Sequence, residues 1–139
     1  MIQRIQSVWL FLAVLCAAFT YKFPFYTGNI TGKDNVPHYT KLVASSNYIL
    51  LILTAGFIAG TTAIIFMYKS RKQQLWLTVV AACLAIINLV IYFYEVKKFA
   101  SGNMSLTSVL AFGMPILLIL AANGIRKDQK LIKSLDRLR

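Results

Sequence analysis

Lys69, Ser70, Arg71 and Lys72 form a basic clamp between two apolar runs, residues 47–68 and 74–94, that contain no charged residue. Side chains so strongly hydrated do not readily cross a bilayer, and they hold a tight turn on the side where the chain was made. The expected unit is a membrane hairpin, and every other segment takes its orientation from it. Composition agrees: 58% of the residues are hydrophobic, 14% are charged and the mean hydropathy is +0.66, values outside the range of an ordinary soluble domain. A soluble helical bundle needs a polar face on each helix, and here long intervals carry no charge on any face. The net charge of +11 would suit a nucleic-acid binder. The cations flank the apolar runs rather than forming a domain of their own, so no nucleic-acid partner is expected.

The first apolar run, residues 5–21, lies between Arg4 and Lys22. It has the outline of a signal peptide, but it continues into Phe19, Tyr21, Phe23, Phe25 and Tyr26 and has only a weak cleavage spot at 16–18, so a retained short helix with an aromatic interfacial foot is expected. Residues 22–46 read as the one sizeable outer loop, with Pro24, Gly28, Gly32 and Pro37 as turn formers and no strong period. His38 is the only histidine, four residues after Asp34; two ligands are too few for a metal, and Pro37 disfavours a helix that would align them.

The run 47–68 contains Gly56 and Gly60, whose spacing leaves a shallow groove on one helix face for close approach of another backbone. Run 74–94 places Trp76 near one interface and Tyr92 and Tyr94 near the other. Its one strongly polar interior residue, Asn88, is expected to face another helix, where such a bond is worth about 0.6 to 2 kcal/mol. Glu95 and Lys98 are spaced to pair if the helix continues. The fourth run, 106–125, carries Gly113 and Pro115, and Pro115 predicts a kink. Cys16 and Cys83 lie inside apolar runs as small buried hydrophobes.

Residues 126–139 differ in kind. At 100° per residue Leu131, Ile132, Leu135 and Leu138 share an arc, with Arg126, Lys130, Lys133 and Arg137 opposite. This predicts a basic amphipathic cytoplasmic helix, with Arg126, Lys130, Leu131, Leu135 and Leu138 as a docking face for anionic headgroups or a partner protein. Asp128 falls inside the apolar arc, which predicts either a break after the membrane helix or an ion pair with a cation such as Arg4. With both termini inside, ten Lys and Arg lie within (Arg4, Lys69, Arg71, Lys72, Arg126, Lys127, Lys130, Lys133, Arg137, Arg139) and five outside (Lys22, Lys33, Lys41, Lys97, Lys98), as the charge bias of membrane proteins requires. The expected fold is therefore a single all-α integral membrane domain: four transmembrane helices in two antiparallel hairpins, plus the cytoplasmic tail helix.

The opening Met1-Ile2-Gln3-Arg4-Ile5-Gln6 and the endings Gly124-Ile125-Arg126-Lys127-Asp128 and Ser134-Leu135-Asp136-Arg137-Leu138-Arg139 resemble a domain-of-unknown-function family of small four-helix membrane proteins from the Bacteroidota. The resemblance covers the chain in length and layout, and its recognisable motifs are at the two ends. It implies a bacterial inner-membrane protein, and it implies no activity.

Catalysis would need a nucleophile with its base, a metal cluster or paired carboxylates, and four acids, one histidine and two separated cysteines offer none of these patterns. No cofactor is expected. Ion or proton transport would want ionisable groups at depth, which the runs lack. The expected function is a non-catalytic accessory, assembly or scaffold subunit that binds the bilayer and other membrane proteins. A small transporter or channel for a neutral or lipid-like substrate is the alternative.

Overall fold

A computed structural model describes residues 3–31, 37–67 and 70–136, and the side chains of all of these but 3, 4, 31, 71 and 131–136. Four helices form: α1 Gln3–Phe19, α2 Tyr48–Phe66, α3 Arg71–Val96 and α4 Val109–Asp136. Three of them are long and apolar enough to cross a membrane. α1 is shorter, about 26 Å at the α-helical rise. Each helix packs on two others, α1 on α2 and α4, α3 on α2 and α4, which closes the four into a ring.

The same spacing is buried in every helix. α1 buries Gln6, Leu10, Ala13, Ala17 and, just past its end, Thr20; α2 buries Leu50, Thr54, Phe57, Thr61 and Ile64; α4 buries Ala111, Met114, Leu118, Ala121, Ile125 and Asp128. Alternating steps of three and four keep one stripe turned inward, as in bundles with a left-handed supercoil. Alanine is frequent in that stripe and lets the helix backbones approach closely.

Three short strands cover one end of the bundle: β1 Tyr26–Thr31, β2 Pro37–Leu42 and β3 Ser101–Met104. They form an antiparallel sheet in the order β2-β1-β3. The all-α expectation is corrected here, since residues 22–46 hold a hairpin and the connection after α3 adds the third strand. The physical basis is the facing pair Gly28 and Gly102. A Cβ built on Gly28 would lie 2.8 Å from the Gly102 Cα, so only glycine lets these two backbones come together.

Sheet and bundle are joined through Phe25, which is buried and stacks on Tyr92 of α3 with ring centroids 4.6 Å apart. Neither ring is the interfacial anchor expected of it. Each belongs to the core, because the sheet caps this end and removes both from the surface. Tyr94 and, at the opposite end, Trp76 are exposed. The Tyr21 hydroxyl donates to the Leu51 carbonyl at 3.0 Å, tying the end of α1 to the start of α2.

α4 continues without interruption through Pro115 and through the junction at 126. The tail is thus not a separate helix as far as Asp136. The change from apolar to basic residues alters the solvent the helix suits, but Arg, Lys, Gln and Leu are all good helix formers, and no glycine or proline follows Gly124.

Candidate functional site

The stripe on α3 that faces inward is its polar stripe. Gln74, Thr78, Ala81, Ala85, Asn88, Tyr92 and Glu95 are buried, whereas Trp76, Val90 and Tyr94 are well over half exposed. The same inversion holds on α2 and α4, where Ile52 and Ile116 point outward while Thr54, Thr61 and Asp128 point inward. Polar groups are gathered at three levels along the bundle, and each is held by a particular contact.

At the end opposite the sheet, Gln6 Nε2 donates to Asp128 Oδ2, joining α1 to α4. Gly124 makes this reach possible: a Cβ there would sit 3.0 Å from Gln6 Cγ, so the glutamine crosses directly over the glycine. Asp128 occupies the apolar arc because that arc faces α1. Its partner is Gln6, and the helix does not break; the side chain of Arg4, the expected cation, lies outside the described residues. Nearby, Gln74 Nε2 donates to the Ile64 carbonyl at 3.3 Å and Thr78 Oγ1 to the Gln74 carbonyl at 2.7 Å.

At mid-height Asn88 Nδ2 donates to Thr54 Oγ1 at 3.0 Å, linking α3 to α2. The other amide atom, Asn88 Oδ1, and the Thr61 hydroxyl have no hydrogen-bond partner among the described residues. The Tyr92 hydroxyl lies beside Thr20 without a hydrogen bond within 3.5 Å. At the sheet end Glu95 collects Asn47 Nδ2 at 2.7 Å and Lys98 Nζ at 2.7 and 2.9 Å. Asn47 also caps α2 by accepting from the Ile49 amide at 3.0 Å, so one carboxylate fixes the start of one helix and the end of another.

Among the described residues Gly56 and Gly60 do not meet another helix. Nothing lies within 4 Å of a Cβ built on either, and they line an open apolar groove of about 260 Å³ between α2 and α3, with Thr61, Ala63, Leu77 and Val80. Gly113 faces Cys16 of α1 with room for a methyl group, the Sγ being 3.9 Å away. Pro115 is buried. Arg126 and Lys130 are exposed on α4. Leu131 and Leu135 follow on the same helix but their side chains, like Leu138 as a whole, lie outside the described residues, as do Lys69 and Asp34. His38 is exposed on β2. Among the described residues no three His, Cys, Asp or Glu come together.

One family, described as Domain of unknown function (DUF4293), matches residues 2–138. The chain belongs to the DUF4293 family. Neither the curated proteins nor the solved structures give a match. The DUF4293 match spans all four helices and the sheet. In this DUF4293 chain sequence reasoning gave no contact to Gln6, Thr54 and Thr61, and it set Tyr92 at an interface rather than in the core. A signal for some of them was present: Thr54 and Thr61, seven apart, and Asn88 and Tyr92, four apart, keep to one helix face, which marks an inward stripe when the outside is apolar.

Proposed function

We propose that this DUF4293 protein is a non-catalytic integral protein of the inner membrane of a bacterium of the Bacteroidota, acting as an accessory, assembly or scaffold subunit that packs against other membrane proteins. Polar stripes turned inward and large apolar side chains turned outward suit a bilayer as solvent. α1 serves as the fourth crossing in this reading. Gln6 near its start contacts Asp128 of α4, and past its end the Pro24 carbonyl accepts from Thr107 Oγ1, just before α4 begins. The end opposite the sheet holds Lys72, Arg126, Lys127 and Lys130 and is the cytoplasmic one, with both termini.

The observation that carries the subunit role is the uncovered groove at Gly56 and Gly60. Small residues four apart on an outward face give a second helix a close seat, and none of the described residues occupies it. A photo-crosslinking residue at Ala63, on the rim of that groove, should yield a discrete protein adduct in native membranes, whereas one at Ile116 should yield lipid. Gly60→Leu should remove the adduct. A product containing lipid alone at Ala63 would defeat the subunit reading, and capture of a neutral or lipid-like small molecule there would favour a carrier.

A further inference from the structure

We propose that the cleft between α1 and α4 at the basic end is a binding site for an anionic phospholipid. The inference rests on the membrane reading above and adds a ligand to it. The cleft measures about 500 Å³ and is walled by Trp9 of α1 and by Leu120, Asn123, Arg126, Lys127 and Lys130 of α4. Along α4 these residues change in order, from an apolar side chain through an amide to three cations, over about 15 Å of helix. That gradient matches a phospholipid seated lengthwise, with the acyl chains against Leu120 and Trp9 and the phosphate among the cations.

Charge supplies the second argument. Arg126 and Lys130 stand at i and i+4, a spacing at which like charges repel, and Lys127 lies beside them. The nearest acid in sequence, Asp128, is buried on the other side of the helix with Gln6 as its partner. The ion pair present among the described residues, Lys98 with Glu95, is at the far end of the bundle. An external anion therefore completes this cluster. A free phosphate would satisfy the cations and leave the Trp9 and Leu120 wall uncovered, whereas a lipid covers both.

The two tryptophans allow a direct test. In a Trp76→Phe background the full-length protein is placed in phosphatidylcholine nanodiscs that contain brominated phosphatidylglycerol or, at the same fraction, brominated phosphatidylcholine, and quenching of Trp9 is followed. The proposal expects stronger quenching by phosphatidylglycerol. It expects the apparent preference to fall by about fivefold for each charge removed in Arg126→Gln, Lys127→Gln and Lys130→Gln, from about 1 kcal/mol per cation, and to persist in Lys72→Gln and in excess soluble glycerol phosphate. Equal quenching by the two lipids would overturn the site while leaving the membrane reading intact; no quenching by either would overturn both. Loss of the preference in Lys72→Gln would reduce the effect to general surface charge, and its loss to glycerol phosphate would make the ligand a free anion; each result overturns the proposal.

Discussion

Asp128 shows how a single buried polar residue ties two helices together. With Gln6 as its partner its carboxyl group is satisfied; with Gln6→Leu it is buried alone, at a cost of about 1–3 kcal/mol. Asp128→Leu strands the glutamine amide and should cost a similar amount. Replacing both removes the unmet groups together, so the double variant should recover most of the loss. Unfolding in mild detergent measures this cycle, and additive losses would show that the two side chains do not act as a pair. Gly124→Ala presses on the same contact from beneath and should weaken it, since the new methyl group meets Gln6 Cγ. From sequence Asp128 was legible only as an anomaly in an apolar arc. The partner is 122 residues away, and no local spacing announces it. Asn88 was easier to read, because an amide within an uncharged run has few options other than a neighbouring helix.

Among the elements, the helices were legible and the sheet was not. Runs without charge demand an apolar solvent and the internal hydrogen bonding of a helix. The strands are four to six residues long, two of them consist mainly of polar and small residues, and none has the clean alternation that marks a half-buried strand. Gly28 reads as a turn former until it is seen opposite Gly102. Gly28→Ala and Gly102→Ala should each lower stability by about 1–3 kcal/mol or more through overpacking of backbone on backbone. Gly56→Ala and Gly60→Ala, with open space around them, should raise the stability of the isolated chain by about 0.5–1 kcal/mol through helix preference. Thermal unfolding of the four variants in detergent checks both signs. A loss at Gly60 in the isolated chain would mean that the groove is already filled from within. The junction at 126 misled for a different reason. Hydropathy reports where a helix leaves an apolar solvent, not where it ends, and α4 at about 42 Å is longer than a bilayer core is thick.

At the scale of the whole molecule, the bundle turns its polar stripes inward, and the proposed membrane reading puts its two ends in different compartments. The sheet, Lys41 and Lys98 lie at one end, and Lys72, Arg126 and Lys127 at the other. In the proposed membrane reading the second end is the cytoplasmic one, because Lys72 and the basic turn of α4 gather there although they are remote in sequence. Single cysteines at Lys41, Lys98, Lys72 and Lys127, in a background with Cys16→Ala and Cys83→Ala, probe this directly with a membrane-impermeant maleimide on spheroplasts, whose inner membrane is intact. The account predicts labelling at Lys41 and Lys98 before lysis, and at Lys72 and Lys127 only after it. Labelling of all four positions in the intact spheroplasts, or of Lys41 and Lys98 on opposite sides, would contradict it.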